Sequence, residues 1–558
     1  MIGSQVLVEC LKSEGVDVMF GIPGGVVLTI FDALYDSGIR VVLTRHEQGA
    51  AHAADGFARV TGRVGVCLAT SGPGATNLVT GLANAYMDSV PIVAITGQVN
   101  TDLLGRDSFQ EADITGISLP ITKHNYLVKD VEDLPRVIKE AFYIASTGRP
   151  GPVLIDVPAD VTTTDMKLKI PENVVLKGYH PPLQGHKKQI SKAVSLIEKA
   201  RRPLLYVGGG IIISGANNEV LSLAEKLRCP VTHTLMGKGA FPETNSLSLG
   251  MLGMHGTWTA NTAINNADVI IAVGVRFDDR VTGRLDKFAT KAKIIHIDVD
   301  PAEIGKNVAV KVPIVGDAKS VLEAILAELK TTPNTSEWIA QIEKWKKDHA
   351  LRYDNGTDEI PPQLVVEKIH EITKGDAIIT TEVGQNQMWA AQYYGCNRPR
   401  RFISSGGLGT MGYGFPAAIG AQIGAPGELV IDIAGDGSFM MNIQELTTAV
   451  CNDLPVKVAV LNNGYLGMVR QWQKMFYKGR YSCSCLKGNP EFAKVAEAFG
   501  AVGMTITRKD EIEPAIREAV SNGRPTVMDF KVAEEANVMP MVPKGASLED
   551  MIETHEVK

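Results

Sequence analysis

The 558-residue chain has few cysteines, no long apolar run and no excess of charge of one sign. Its seven cysteines are scattered and odd in number, which favours free thiols over a disulfide framework. No stretch approaches the roughly 18 uninterrupted apolar residues of a membrane helix, and charged residues interrupt the first segment, so neither a membrane span nor a secretory signal is expected. The 56 basic and 62 acidic residues give a net charge of -6 and no reason to expect nucleic acid as a partner. A cytoplasmic location is predicted.

Short apolar runs that end in Gly, Asp or Asn recur along the chain, for example at 203–210, 269–275, 428–437 and 456–464. Near-continuous runs of Val, Ile and Leu are typical of strands that are buried on both faces of a parallel sheet. Amphipathic segments such as 318–329 have the periodicity of the helices that connect such strands. The sequence therefore predicts an α/β protein with doubly wound parallel sheets.

Two stretches rich in Pro, Gly and polar residues, 166–190 and 330–362, have the composition of linkers between domains. The length also favours about three domains of roughly 150–200 residues. The predicted units are an N-terminal domain at 1–165, a central domain at 190–330, a third domain at 360–535 and a tail at 536–558.

A Gly-Asp-Gly turn at 435–437 is followed, 27 residues after Asp436, by Asn463. Both segments lie at the carboxyl ends of predicted strands, where open α/β sheets bind their ligands. The glycines allow a diphosphate to approach the backbone, and a helix predicted to start near Ser438 would direct its N-terminus at that anion. Mg2+ prefers oxygen ligands, which Asp436, Asn463 and the carbonyl of Tyr465 supply. The alternative is a tight strand–helix turn with an unrelated asparagine.

Further segments extend this pattern: Arg-His-Glu-Gln-Gly-Ala-Ala at 45–51, Glu-Val-Gly-Gln at 382–385 and Gly-Gly-Leu-Gly-Thr-Met-Gly at 406–412. Together with the Gly-Asp-Gly turn they resemble the thiamine-diphosphate enzymes. The Gly-Met-Val-Arg-Gln-Trp run at 467–472 resembles, within that group, the acetohydroxyacid synthase family. The resemblance covers roughly 1–165, 195–330 and 360–558 by motif.

The resemblance implies three doubly wound domains of the thiamine-diphosphate-enzyme type and the cofactors thiamine diphosphate and Mg2+. Glu47 would hydrogen-bond the aminopyrimidine of the cofactor, and Met411 would hold the cofactor in a bent shape. Phe109 and Gln110 would face the reacting centre, and all four are the implied catalytic residues. The full set implied to contact thiamine diphosphate is Glu47, Gly384, Gln385, Gly409, Met411, Gly435, Asp436, Gly437, Ser438, Asn463, Tyr465, Gly467 and Met468.

The central domain carries segments that resemble the FAD site of the same family, and FAD is the third implied cofactor. Gly208-Gly209-Gly210 follows a predicted strand but lacks a full dinucleotide fingerprint. Arg280 is the candidate for holding the carboxylate of the second ketoacid, because a guanidinium is a planar and permanently charged fork. Trp472 and Val469 are the other implied substrate residues. The full set implied to contact FAD is Arg149, Gly208, Gly209, Gly210, Met254, His255, Gly274, Arg276, Asp278, Asp298 and Asp317.

The implied reaction is decarboxylation of pyruvate followed by transfer of the two-carbon unit to pyruvate or 2-ketobutyrate, as in branched-chain amino acid biosynthesis. The alternatives are an FAD-dependent pyruvate oxidase, a catabolic acetolactate synthase without FAD and a non-catalytic binding subunit. The resemblance also implies at least a homodimer, and it leaves open a tetramer and a separate regulatory small subunit. Val26, Asn100 and Ala159 depart from the residues common in the family and map to its substrate channel, which leaves inhibitor sensitivity open.

Overall fold

A computed structural model describes residues 1–553 and contains three parallel sheets of six strands each, with helices on both faces. The predicted fold class is confirmed. Within the described residues, no helix is both long and apolar enough to cross a membrane.

The first sheet has the strand order β2-β1-β3-β4-β6-β5. Its central strands β3, β4 and β6 are buried along their whole length, as their continuous apolar sequences predict. The strands are β1 (Val18–Gly21), β2 (Arg40–Leu43), β3 (Gly65–Ala69), β4 (Ile92–Gln98), β5 (His124–Leu127) and β6 (Val153–Pro158). The helices of this part are α1 (Gly3–Ser13), α2 (Leu28–Tyr35), α3 (Glu47–Thr61), α4 (Pro73–Asn77), α5 (Val79–Asp88), α6 (Ile114–Ser118), α7 (Leu134–Ser146) and α8 (Ala159–Thr163).

The second sheet has the order β12-β11-β10-β7-β8-β9, again all parallel. The strands are β7 (Pro203–Val207), β8 (Val231–His233), β9 (Ser248–Met251), β10 (Val269–Val273), β11 (Lys293–Asp298) and β12 (Val312–Val315). The helices are α9 (Lys187–Ile197), α10 (Gly209–Ser214), α11 (Asn217–Leu227), α12 (Trp258–Asn266), α13 (Asp279–Thr282), α14 (Ala318–Glu328) and α15 (Ser336–Asp348). Helix α15 lies in the predicted linker, where it packs the buried Trp338 against this sheet's core.

The third sheet has the order β14-β13-β15-β16-β18-β17. The strands are β13 (Ile378–Thr381), β14 (Phe402–Ser404), β15 (Val430–Gly435), β16 (Lys457–Asn462), β17 (Val502–Ile506) and β18 (Thr526–Lys531). The helices are α16 (Pro362–Thr373), α17 (Gln385–Tyr393), α18 (Gly414–Gly424), α19 (Asp436–Phe439), α20 (Leu446–Cys451), α21 (Gly467–Phe476), α22 (Phe492–Ala498) and α23 (Ile512–Ser521). Short 3-10 turns occur at Gly25–Val27, Thr101–Leu103, Leu119–Ile121, Val131–Asp133, Leu235–Gly237, Leu285–Lys287, Met440–Glu445, Lys509–Glu511 and Leu548–Asp550.

The first and third sheets are joined through helices α3 and α18, whose backbones touch. A Cβ atom at Gly420 would lie 1.8 Å from the carbonyl oxygen of Ala53, so only glycine fits at this crossing. Beside the crossing, the buried Asp88 carboxylate accepts hydrogen bonds from the backbone N–H groups of Gly406 (3.1 Å) and Gly407 (2.7 Å). The loop that precedes Met411 is therefore held by a side chain from the first sheet.

The described part of the tail, 536–553, runs from helix α21 to the second sheet. The Val542 N–H donates to the Met254 carbonyl at 2.8 Å, and Leu548 is buried in the core of the second sheet. Residues 554–558 of the predicted tail lie outside the described residues. The prediction that the tail closes over the active site stays a prediction.

Candidate active site

Glu47 begins helix α3, four residues after strand β2 ends, and is only 9% exposed. Its Oε2 accepts a hydrogen bond from Asn77 Nδ2 at 2.9 Å. Glu445 fixes the start of the helix, because its Oε1 accepts from the N–H groups of Arg45 (3.0 Å) and His46 (3.1 Å). The segment predicted to meet the pyrimidine ring, 45–51, thus lies beside Asn77 at the carboxyl edge of the first sheet.

Phe109 and Gln110 lie on a loop at the same edge. Gln98 holds the end of that loop through its Nε2, which donates to the Ala112 carbonyl at 2.8 Å. Glu111 accepts from the Ser108 N–H at 3.0 Å and so closes the loop on itself. Phe109 is 88% exposed, the most exposed large apolar side chain among the described residues.

A cleft at the carboxyl edge of the third sheet contains most of the residues predicted to contact thiamine diphosphate. Those that line it are Gly384, Gln385, Met411, Gly435, Asp436, Gly437, Ser438, Asn463, Tyr465, Gly467 and Met468. Val469, predicted as a substrate residue, lines it as well. The helix expected near Ser438 begins at Asp436, because Gly435 is still extended, and it ends at Phe439. The non-helical φ of -133° at Asn442 prevents a longer helix.

The chemistry of this cleft suits a divalent cation. Asp436 is 1% exposed, and burial raises the pKa of its carboxyl to about 7, so the ionised form needs a positive charge nearby. Asn463 adds an amide oxygen, and among the described residues no backbone N–H donates to the Tyr465 carbonyl. One carboxylate, one amide oxygen and one free carbonyl form an oxygen donor set of the kind that Mg2+ prefers when phosphate oxygens complete it. The residues fit the predicted magnesium diphosphate.

Glu382 is a buried residue to which no individual role was assigned from the sequence. Its Oε2 accepts from the Gly412 N–H at 2.7 Å and its Oε1 from the Phe415 N–H at 3.1 Å, so it fixes the turn that follows Met411. Burial raises the pKa of Glu382 to about 7, and burial together with the Glu382 charge raises the pKa of the neighbouring Asp432. The only sequence signal was its place at the start of the 382–385 segment.

A cavity of about 1040 Å3 lies between the second sheet and the ends of the first and third sheets. Drug-sized ligands occupy cavities of roughly 300–1,000 Å3, so this volume suits a dinucleotide. The residues predicted to contact FAD that line it are Arg149, Gly209, Gly210, Met254, His255, Gly274, Arg276, Asp278, Asp298 and Asp317. Gly208 is buried behind them, against the Gly274 carbonyl, and does not line the cavity. Gly409, predicted to contact thiamine diphosphate, lines this cavity instead of the cleft.

Several charged groups of the cavity already have partners in the protein. Arg149 donates from Nη1 to Glu303 at 2.8 Å, while Asp278 and Asp317 accept from backbone N–H groups at the starts of α13 and α14. Asp298 also has one partner, the Asp300 N–H at 2.9 Å, but burial still raises the pKa of its carboxyl to about 6. A buried carboxyl at the end of β11 can bond a ribose hydroxyl, as acidic residues do in dinucleotide folds.

The cleft and the cavity adjoin at Val383 and Met468, which line both. Arg280 and Trp472 both line the cavity, and Trp472 lies one helical turn after Met468. Among the described residues, no carboxylate lies within salt-bridge distance of Arg280, whose Nη1 is 3.7 Å from the Met254 sulfur. The cavity therefore has a guanidinium without a carboxylate partner and an aromatic side chain on its wall.

Glu47, Phe109 and Gln110 line neither the cleft nor the cavity. Of the residues predicted to be catalytic, these three therefore lie at the edge of the first sheet, whereas Met411 lines the cleft at the third sheet.

Comparison with known proteins gives a consistent result along the whole chain. Family models match at residues 1–117 (thiamine pyrophosphate enzyme, N-terminal TPP binding domain), 190–325 (central domain) and 382–530 (C-terminal TPP binding domain). The chain is 50% identical over 561 residues to the acetolactate synthase isozyme 3 large subunit of Escherichia coli, covering 98% of each. It is 51% identical to the acetolactate synthase large subunit of Corynebacterium glutamicum, covering 99% of this chain and 90% of that protein. It is 50% identical to the probable acetolactate synthase large subunit of Methanocaldococcus jannaschii, covering 100% and 96%. The chain therefore belongs to the acetolactate synthase large subunits, a family of thiamine pyrophosphate enzymes.

Proposed function

We propose that the protein is an acetolactate synthase that decarboxylates pyruvate and transfers the two-carbon unit to pyruvate or 2-ketobutyrate. The proposal rests on the observation that two sites adjoin each other. An oxygen donor set made by Asp436, Asn463 and Tyr465 lies in a cleft that adjoins a dinucleotide-sized cavity at Val383 and Met468.

Asp436, Asn463 and the Tyr465 carbonyl would hold Mg2+, and the backbone around 435–438 would hold the diphosphate. When bound, thiamine diphosphate supplies an electron sink for the negative charge left when CO2 departs from pyruvate. FAD would occupy the large cavity between Gly209, Arg276 and Asp298 and undergo no net redox change.

Glu47 would exchange a proton with the pyrimidine ring nitrogen of the cofactor. Asn77 Nδ2 donates a hydrogen bond to the Glu47 Oε2, whereas the Glu47 Oε1 has no hydrogen-bond partner among the described residues. The Oε1 is therefore available for the exchange. The partial burial of Glu47 limits access of water to the proton.

Arg280 would bind the carboxylate of the acceptor ketoacid through two parallel hydrogen bonds, since no Asp or Glu of residues 1–553 forms a salt bridge with its guanidinium. Trp472 and Val469 would enclose the acceptor side chain, and Phe109 and Gln110 would cover the donor. These side chains would also exclude water, because protonation of the two-carbon unit would release acetaldehyde before the second ketoacid is joined.

The separation of Glu47 from the diphosphate cleft supports a homodimer in which each active site takes its residues from two chains. Coexpression of Glu47→Gln and Asp436→Ala chains tests this. Random pairing makes about half of the dimers mixed, each with one intact site of two, so about a quarter of wild-type activity returns. If each chain holds a complete site, mixing restores no activity.

The chief alternative is a pyruvate oxidase that reduces its FAD. Anaerobic addition of pyruvate to the holoenzyme separates the two reactions, because the synthase forms acetolactate while its flavin stays oxidised. Rapid and complete bleaching of the flavin would support the oxidase. A catabolic synthase without FAD is disfavoured by the size and lining of the cavity, and retention of FAD through purification tests that point. A tetramer, a regulatory small subunit and a cytoplasmic location stay predictions.

A further inference from the structure

Gln471 lies on helix α21 beside Trp472 and is fully buried. Its Oε1 accepts hydrogen bonds from Gln385 Nε2 and from the Val538 N–H, both at 2.8 Å. Its Nε2 donates to the Val538 carbonyl at 3.1 Å. Both ends of this side-chain amide are thus bonded to the backbone of one residue in the tail.

The pairing with Val538 decides which end of the Gln471 amide is the oxygen. The two ends of a side-chain amide have nearly the same shape, so only their hydrogen-bond partners distinguish them. A backbone N–H can only donate and a backbone carbonyl can only accept. The Gln471 oxygen must therefore face the Val538 N–H, and the same oxygen faces Gln385.

Gln385 transmits this orientation to Asn463. Its Nε2 donates to Gln471 Oε1 and to the Ala536 carbonyl (3.0 Å), so its own Oε1 points the other way. That Oε1 accepts from Asn463 Nδ2 at 3.1 Å. This bond occupies the nitrogen of Asn463, while the Asn463 Oδ1 accepts a hydrogen bond from the Tyr465 N–H at 3.1 Å and keeps a second lone pair for a cation.

The space around this chain of amides permits little rearrangement. Gln385 is 3% exposed and Asn463 is 5% exposed. A Cβ atom at Gly467 would lie 2.1 Å from Gln385 Oε1, so the absence of a side chain there lets Gln385 reach Asn463. Reversal of any one amide would place two donors or two acceptors in contact inside the protein, without water to compensate.

We propose that Gln471 is a positioning residue for the metal site: together with Gln385 it sets the Asn463 amide so that oxygen, not nitrogen, is presented to Mg2+. The proposal rests on the proposed function, in which Asn463 is a metal ligand. An amide nitrogen is not a Mg2+ ligand, so a reversed Asn463 would remove one of the protein's three oxygens. Because Val538 orients the Gln471 amide and Ala536 accepts from Gln385, residues 536–538 of the tail support the metal site.

The test is the affinity of the dimeric holoprotein for Mg2+, measured by calorimetry with thiamine diphosphate present. Gln471→Met keeps the length of the side chain and removes both polar ends. Its Mg2+ affinity should fall about tenfold, the low end of the effect of losing an outer partner of a metal ligand, because Gln471 acts on Asn463 through Gln385. The kcat at saturating Mg2+ should be retained, because the ligands themselves are unchanged. Wild-type affinity in Gln471→Met would overturn the proposal.

A double substitution separates orientation from general damage. Asn463→Asp makes both ends of the ligand side chain oxygen, so its orientation no longer matters. In that background Gln471→Met should cause no further loss, because it also frees Gln385 to turn its Nε2 toward the carboxylate oxygen that replaces the Asn463 nitrogen. An equal loss in both backgrounds would show a merely structural role. If Gln471→Met does not fold, Gln471→Leu removes the same polar ends and is measured in the same pair of backgrounds.

Two controls complete the experiment. Lys474→Ala removes an exposed contact between the same helix and Glu535, the residue just before the tail, and should leave Mg2+ affinity unchanged, as exposed ion pairs contribute little. If it lowers the affinity as much as Gln471→Met does, any loosening of the tail is sufficient and the amide chain is refuted. Asp436→Ala should abolish Mg2+ binding in every background. Unchanged binding in Asp436→Ala would instead refute the metal site of the proposed function.

Discussion

Replacement of Trp472 by leucine should change the choice of acceptor without stopping the reaction. Trp472 lines the large cavity near its junction with the cleft, on the same helix as Met468, which lines both. The competing acceptors differ by one methylene, since 2-ketobutyrate carries an ethyl group where pyruvate carries a methyl group. An indole beside the acceptor provides apolar surface that buries the extra carbon. Leucine is smaller than the indole and buries only part of it.

The size of the effect follows from the burial of that one methylene. Complete burial contributes about 0.8 kcal/mol from transfer alone, and enzymes discriminate by about 1–3 kcal/mol per methylene. Because leucine keeps some contact, we expect the lower part of this range. The preference for 2-ketobutyrate should fall about tenfold, which corresponds to about 1.4 kcal/mol.

The assay is competition between the two acceptors, with the ratio of acetohydroxybutyrate to acetolactate as the result. Phe476→Leu is a matched control, because Phe476 ends the same helix, is 46% exposed and does not line the cavity. The control should keep the parent ratio. If Trp472→Leu also keeps it, the indole only packs against its neighbours and another residue selects the acceptor.

Three further predictions follow from buried charges. Glu47→Gln should retain thiamine diphosphate but lose at least about 100-fold in rate, and near-normal turnover would remove Glu47 from the mechanism. Burial raises the pKa of Asp436 to about 7, so protons compete with the metal below that pH. The Mg2+ affinity measured by calorimetry should therefore fall about tenfold for each pH unit below 7, and an affinity that is independent of pH between about 6 and 8 would contradict this. Lys238→Met removes the ammonium from the largely buried Glu243 carboxylate, which keeps His233 and the Cys396 N–H as partners. The free energy of unfolding should fall by about 3 kcal/mol, the low end for breaking a buried ion pair, and Glu243→Gln should restore most of it in the double variant, as followed by denaturant unfolding.

Several strands could be predicted because apolar runs that end in Gly, Asp or Asn are local signals. The predicted strand ends near Asp436 and Asn463 are confirmed by β15 and β16, which bring both residues to one cleft. The helix at 318–329 is confirmed by α14. These features depend on residues close together in the sequence, where periodicity and turn chemistry are informative.

The rest of the site depends on contacts between distant residues that leave no periodic signal. Gln385 and Gln471 are 86 positions apart, and Glu445 supports the backbone of Arg45 from 400 positions away. The role of Gly208 was also beyond sequence reasoning, because a glycine that fits against Gly274 looks the same in sequence as one that fits a cofactor. Such roles follow only from the packing of whole domains against each other.

The most direct test of the proposed function is product analysis with purified protein, pyruvate, thiamine diphosphate, Mg2+ and FAD under anaerobic conditions. The account predicts that acetolactate accumulates with one CO2 released for each two pyruvates consumed, and that omission of thiamine diphosphate or Mg2+ abolishes the product. Acetate with reduced flavin, or acetaldehyde as the sole product, would contradict it.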